Sequence, residues 1–321
     1  VSLTSLERFV TDRLSQRVRA SSAVLEYTAR ERGLETERLS RVLVLVHLPD
    51  AALTFHGMNG PDSSEAGRVF RTIRDGQRSL LDARGIPVPR WAVFAPTQYK
   101  RAERFAAQLG GRVSVRPARL RVGGRGAASA GADEFRSLWR RAVGAYETTK
   151  GGPVLVEEEV TGQRLHVFVV DGAVVAATRF RGDDPAAVHR LISRESSMTG
   201  EAVDVTDEVD PRVAELAVDA LRAVPGLPYG GVDLVMPTAD ANDAGPPRAV
   251  VTHLDPAPAP VAHFPVHGPP RDVAGAILDH YVTSPRWRTA RETSHRALAI
   301  HSAAAAEPLH TGSFAPIRAG S

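Results

Sequence analysis

Cysteine is missing from all 321 residues, which excludes disulfides and thiolate metal sites. Lysine is nearly missing as well. Lys100 and Lys150 are the only lysines and every other base is arginine. With alanine abundant, that bias is the mark of nucleotide composition in a coding genome, so a single arginine where lysine is usual carries little weight. Long apolar runs are also lacking: none approaches the roughly 20 residues a membrane span requires. The opening stretch VSLTSLERFVTDRLSQRVRA alternates charge with apolar residues and has no continuous apolar core of a signal peptide. A cytoplasmic protein without a membrane partner is the expectation. No block of one charge sign stands out either. Forty bases against 37 acids leave a formal charge of +3, spread along the chain without the basic footprint of a nucleic-acid binder.

What is present suits a large folded unit. A hydrophobic content of 43% supports a full core in one large domain or a few subdomains. Residues 3–32 carry helical spacing (Leu6, Phe9, Val10, Leu14, Val18) that stops at Gly33. Residues 41–48, RVLVLVHL, read as a buried strand. A turn at Gly60-Pro61-Asp62-Ser63-Ser64 supplies an N-cap for a helix predicted over 65–84. Further helices are predicted over 98–109, 133–146, 211–224 and 272–281. A hairpin is expected at Asp171-Gly172. Residues 183–194 also read as helical, and from about Thr283 onward periodicity is lost.

The stretch RAVVTHLDPAPAPVAHFPVHG, residues 248–268, concentrates the chemistry. A short β-rich run delivers His253 and Asp255 on one face, because side chains two apart along a strand point the same way. Pro256, Pro258 and Pro260 then break the strand. Upstream, Gly230-Gly231-Val232-Asp233-Leu234-Val235 sets one acid into a second apolar strand. A buried lone carboxylate costs several kcal/mol unless it is paired or metal-bound, so Asp233 needs a partner, and His253 and Asp255 are the candidates.

Four motifs in sequence order carry a resemblance. SSEAGRVFRTIRDGQRSLLDARGIPVPRWAVF places Arg74 in a helix ahead of Gly-Ile-Pro-Val-Pro. A strand ending Arg116-Pro117 precedes the loop RLRVGGRG, whose Gly123, Gly124 and Gly126 let backbone N–H groups approach phosphate. VLVEEEVTG breaks from apolar residues into Glu157, Glu158, Glu159 and Val160. GGVDLV is followed by VVTHLDPAPAPVAHFPVHGPPRDVAGAILDHY. Taken one at a time, each has a plain alternative: a solvated helix arginine, a surface hairpin, a charged hairpin tip, a structural His–Asp pair.

Together, over roughly residues 60–283, they resemble the ATP-grasp superfamily. The nearest branch is that of the carboxylate-amine ligases similar to cyanophycin synthetase and D-alanine:D-alanine ligase. The resemblance implies an α/β (α+β) fold of two lobes clasping a nucleotide cleft. It divides the chain into an N-terminal subdomain over 1–64, an ATP-grasp domain over 65–283 (lobes 65–160 and 161–283) and a tail over 284–321. It puts Arg74 and Arg116 at the positions of phosphate-binding lysines and the glycine loop over the triphosphate. Glu157, Glu158, Glu159 and Val160 fall at the adenine-edge hinge, and Arg164 at the position of the ribose-binding acid. Asp233, His253 and Asp255 stand at the metal positions, His253-Leu254-Asp255 replacing the family's Glu-x-Asn. ATP and Mg²⁺ are the implied cofactors, with Mn²⁺ an option because imidazole is a poor Mg²⁺ ligand. The implied activity is amide-bond formation through an acylphosphate on amino-acid or peptide substrates, in a protein whose relatives are often dimers, so a homodimer is an expectation. The altered Glu-x-Asn and ribose positions keep two other readings open: a degenerate, non-catalytic scaffold, and a transition-metal site built from Asp233, His253 and Asp255.

Overall fold

The computed structural model describes residues 4–48, 51–119, 128–130, 134–146, 151–182, 200–237, 249–257, 259–284, 286 and 287. The periodic run at the N-terminus forms two helices, α1 (Ser5–Ser15) and α2 (Ala20–Glu31), where one was expected. The break falls at Arg17, whose φ of 63° no helix interior accommodates. Strands β1 (Glu35–Arg38), β2 (Leu43–Leu48) and β3 (Ala51–His56) follow as an antiparallel meander. In β2 half-buried and buried residues alternate, so the run RVLVLVHL packs on one face, not on both.

The helix expected over 65–84 is also two, α3 (Glu65–Val69) and α4 (Arg74–Ala83). Ser64 is the anticipated cap, its Oγ accepting from Gly67 N at 2.9 Å. The interruption at residues 70–73 has a tertiary cause. Ile73 bridges to Arg119, and Arg74 N donates to Ala118 O at 2.9 Å, which ties the start of α4 to the chain leaving the next sheet.

That sheet comprises β4 (Trp91–Phe94), β5 (Val113–Pro117), β6 (Ala128–Ala130) and β7 (Val154–Glu158), antiparallel in the order β4-β7-β5-β6. Helices α5 (Tyr99–Leu109) and α6 (Phe135–Gly144) belong to the same lobe. Phe135, Leu138 and Trp139 form a core there with Val113, Val115, Val154 and Val156.

The second large sheet is built from β8 (Gly162–Val170), β9 (Ala173–Arg181), β10 (Glu201–Asp204), β11 (Tyr229–Pro237) and β12 (Val250–Asp255), in the order β10-β9-β8-β11-β12. The β8–β9 hairpin turns at Asp171 and Gly172, both at positive φ (50° and 79°), as the two-residue turn requires. Helix α7 (Pro211–Arg222) covers one face, where Leu165, Val167, Val232, Leu234 and Leu254 meet Ala217 and Leu221. Alternation sends the intervening residues to the opposite face. One half of that face, with Phe168, Val170 and Tyr229, packs on the N-terminal meander and helices and on α8 (Val273–Thr283). The other half is polar. Among the described residues no helix is long and apolar enough to cross a membrane.

Candidate active site

The polar half follows from strand register. In antiparallel pairs, directly opposed residues share a face. His166 of β8 lies opposite Asp233 of β11, Asp233 opposite His253 of β12, and Gly231 opposite Asp255. The register then shifts: Leu234 pairs with Val251, leaving Thr252 as the extra residue of a bulge. Thr252 Oγ1 donates to Asp233 O at 3.2 Å. A bulge here re-aims the end of β12, so that His253 and Asp255 join Asp233 on the polar face while Leu254 points into the core beneath α7.

Asp233 finds its partner elsewhere than the sequence suggested. His166 Nδ1 donates to Asp233 Oδ1 at 2.6 Å, and both side chains are almost fully buried. Burial pulls the imidazole pKa down, but the hydrogen bond and charge of Asp233, with a smaller contribution from Asp255, outweigh it and hold His166 above its ordinary value. Sequence reasoning missed His166. Its signals were a single histidine set between the apolar residues Leu165 and Val167 and the glycine pair Gly230-Gly231 of the neighbouring strand. A Cβ on Gly231 would stand 2.2 Å from His166 Cε1, so only glycine lets the ring lie there.

Helix α4 closes the cleft from the other side. Arg74, Gln77, Arg78 and Leu81 are spaced i, i+3, i+4, i+7, which in a helix is one stripe; here polar groups stand where apolar ones are usual. That spacing was the legible signal for Gln77 and Arg78, which the sequence reading did not single out. Gln77 pairs with the open edge of β12 as another strand would. Its Oε1 accepts from Leu254 N (3.0 Å), and its Nε2 donates to Leu254 O (3.0 Å). The same Oε1 stands 3.2 Å from His253 Nδ1, and an amide oxygen accepts only if that nitrogen carries the proton. Burial and the charges of Arg74, Arg78, Arg116 and Arg71 drive the His253 pKa well below the ordinary value, so the ring is neutral. Arg78 Nη2 donates to Thr252 O at 2.6 Å while its Nε binds the Glu157 carboxylate. One helix thereby joins the sheet of the first lobe to the edge of the second.

Arg116 lies 3.3 Å from Glu157 Oε2, and its Nε donates to Ser114 Oγ at 2.8 Å. Glu157 is thus a buried counter-ion. Burial raises its pKa, but Arg78 and Arg116 more than reverse this. Glu158 and Glu159 pair at 2.9 Å with Arg90 and Arg112, and their backbone N–H groups donate to Arg90 O and Arg112 O. Val160 lies just past the end of β7, half-buried. Arg164 donates to Gly182 O at 3.2 Å. Gly123, Gly124 and Gly126 lie outside the described residues, as does the stretch 183–194.

Arg74 is poorly compensated, as is Arg116, whose burial lowers its pKa despite the neighbouring Glu157. Burial and the neighbouring charge of Arg116, with a smaller part from Arg78, bring the Arg74 pKa down to about 9, against the pull of Glu157 and Asp233. A guanidinium resists deprotonation, so a shift of this sign marks a cation in want of an anion. Asp255 has the converse problem. Its Oδ1 accepts from Ala257 N at 3.0 Å and faces Arg71 Nε at only 3.8 Å. Burial, aided by the charge of Asp233, raises its pKa to about 6. Among the described residues, Arg74 Nε, Arg78 Nη1, His166 Nε2 and Asp255 Oδ2 are buried without a hydrogen-bond partner. Buried polar atoms are normally satisfied, and four of the seven exceptions among the described residues fall in this cleft. Arg74, Arg116, Asp233, His253 and Asp255 therefore do converge.

The chain superposes on the bifunctional glutathione synthetase of Pasteurella multocida, an ATP-grasp enzyme, over 82% of its own length with a TM-score of 0.54 and 17% identity. The chain has the ATP-grasp fold. It spans 44% of the length of that synthetase. D-alanine–D-alanine ligase from Bacillus anthracis matches at 15% identity over 72% of each chain, with a TM-score of 0.49. The ATP-grasp ligase PsnB, complexed with precursor peptide PsnA2 and AMPPNP, matches at 21% identity over 68% of this chain and 59% of its own, with a TM-score of 0.48. No protein-family model and no curated protein matches the sequence. At these identities the likeness is one of fold.

Proposed function

We propose that the chain is an ATP-dependent carboxylate–amine ligase acting on amino-acid or peptide substrates, with residues 65–283 as its ligase unit and 1–64 and 284–321 as flanking segments. The observation that carries the reading is the pair of guanidinium atoms Arg74 Nε and Arg78 Nη1, buried without a hydrogen-bond partner near Arg116 in a chain with the ATP-grasp fold. A polyphosphate is the anion that several convergent guanidiniums suit, because each binds phosphate through planar, charge-assisted hydrogen bonds.

Bound ATP would supply an electrophilic γ-phosphorus. A substrate carboxylate oxygen attacks it, the bond from that phosphorus to the bridging oxygen breaks, and ADP leaves. The amine nitrogen of the second substrate then attacks the acyl carbon, the bond from that carbon to the phosphate oxygen breaks, phosphate departs and the nitrogen gives up a proton. The charge on the transferring phosphoryl group spreads over its outer oxygens. Arg74, Arg78 and Arg116 neutralise that charge, being fixed beforehand by burial, by α4 and by Glu157. Gln77 and the Thr252 bulge hold β12 against α4 and so keep the two lobes in register.

A divalent cation fits less well. Asp233 is engaged by His166, the His253 ring is held by Gln77, and among the described residues no three carboxylate or imidazole side chains group to hold a metal. No step above is routed through one.

ADP release by the full chain, measured with ATP and a panel of amino acids, tests the proposal. The expected result is amine-dependent ADP formation that falls about 10²-fold in Arg74→Ala, the loss seen when one preorganised donor is removed. Absence of ADP formation together with absence of thermal stabilisation by ATP overturns it. A second reading, a non-catalytic scaffold, has its own observation: Glu157 already neutralises Arg78 and Arg116 from within the chain. Stabilisation by ATP without turnover on any amine would favour it.

A further inference from the structure

In a cleft that binds nucleotide phosphate, dications commonly neutralise the charge, held by one or two carboxylates and by the phosphates themselves. This chain keeps carboxylates at the expected strand positions but has spent them differently. Asp233 Oδ1 lies 2.6 Å from His166 Nδ1 at full burial, a charge-assisted bond in the short range. The bond is built into the fold. Register puts the two residues opposite each other, and Gly231 is bare so that the ring can lie across it. Gln77, fixed at both ends by the backbone of β12, holds the His253 ring by Nδ1. Asp255 offers one oxygen to the cleft, its other being taken by Ala257 N and facing Arg71. Against these stand Arg71, Arg74, Arg78, Arg116 and the His166 ring; among the described residues Glu157 pairs Arg78 and Arg116, and Asp255 faces Arg71 at 3.8 Å.

We infer that this cleft binds nucleotide polyphosphate without a divalent metal, His166 and the arginines of α4 and β5 supplying the positive charge, and Asp233 serving as the counter-ion of His166 instead of as a metal ligand. The inference rests on the nucleotide site proposed above. His166 Nε2, buried and without an acceptor among the described residues, is the additional donor it assigns to the phosphates. Asp233 acts through that ring and is a positioning residue.

Isothermal titration of the full chain with ATP, and separately with inorganic tripolyphosphate, in EDTA and in Mg²⁺ or Mn²⁺, decides the matter. The expected result is a Kd in EDTA within about threefold of that in Mg²⁺, weakening with added salt as an arginine-held anion should. Binding that appears only with metal, or is at least tenfold tighter with it, overturns the inference and leaves the ligase reading standing. No binding of either anion in any buffer overturns both.

Asp233→Asn separates the two roles by their dependence on metal. It removes the carboxylate that holds the proton on His166, so, with Asp233 as a counter-ion, ATP binding is expected to weaken several-fold and equally in EDTA and in Mg²⁺. An Asp233 that ligated the metal would instead lose at least tenfold in Mg²⁺ and nothing in EDTA. His166→Arg keeps the cation and is expected to retain metal-free binding, whereas His166→Gln is expected to weaken it several-fold. Should either His166 variant fail to fold, the comparison of EDTA with Mg²⁺ on the unaltered chain still decides.

Discussion

His263 shows how one side chain can couple the folded state to pH. It belongs to the segment HFPVHG, yet it faces away from the cleft, fully buried, with its Nε2 accepting from Ala274 N at 3.1 Å in the first turn of α8. Burial, only partly opposed by Asp272, lowers its pKa from 6.5 to about 4. The sign follows from linkage. A histidine whose folded pKa lies below its unfolded value stabilises the fold above the unfolded value, and the contribution is lost as pH falls from 6.5 toward 4. At about 1.4 kcal/mol per pKa unit this is on the order of 3 kcal/mol. Urea denaturation at pH 7.5 and at pH 4.5 is expected to show the loss. A stability that stays flat over that window would remove His263 from this role. The histidines of the cleft behave differently for the same physical reasons: the carboxylate of Asp233 keeps His166 charged, and the arginines keep His253 neutral.

Among the elements, α4 does most to shape the site. A sheet edge presents unpaired backbone groups that a fold must cover, and Gln77 covers that of β12 with its amide while Arg78 adds a bond to Thr252 O. Gln77→Ala would strand the N–H and C=O of Leu254 in a buried place. At roughly 1–3 kcal/mol for each of the two unsatisfied groups, the expected loss is about 2–6 kcal/mol in chemical denaturation, with proteolysis rising at the β12 edge. A loss below about 0.5 kcal/mol, the range of ordinary surface changes, would mean that water replaces the amide. The sequence displayed this helix but not its start. Periodicity ran on through residues 70–73, and the bridge from Ile73 to Arg119 that ends it joins residues far apart in the chain.

At the scale of the whole molecule, the N-terminal meander and the second lobe share one core. Val24, Leu25, Val44, Phe55 and Met58 pack with Phe168, Tyr229, Phe264, Ile277 and Tyr281. Polar contacts cross the same junction. Gly60 N donates to Tyr229 Oη at 2.7 Å, the Tyr229 and Tyr281 hydroxyls lie 2.9 Å apart, and His280 joins Asp62 at 3.1 Å to Asp171 at 2.7 Å. Trp287 Nε1 donates to Asp62 Oδ2 at 2.6 Å. A fragment of residues 65–283 would expose that apolar face, so it is expected to lack a cooperative thermal transition in calorimetry. A sharp transition matching that of the full chain would show that the ligase unit folds alone.

By itself the sequence determined the kinds and order of the elements, because periodicity, turn dipeptides and caps act over a few residues: the Asp171-Gly172 hairpin, the Ser64 cap, the strands bearing Asp233 and His253. It also placed His253 and Asp255 on a common face, since alternation along a strand is local. Which partner each charge takes was left to the tertiary structure. Asp233 and His166 are 67 residues apart in the chain, and only the register of β8 on β11 and the bare backbone of Gly231 bring carboxylate and ring together; the bulge at Thr252 adds His253 and Asp255 to them. Likewise Glu157, read as part of a hinge, became the anion between Arg78 and Arg116 once α4 lay across both sheets. Charge compensation in a buried cleft depends on distance and desolvation, which no stretch of sequence fixes alone.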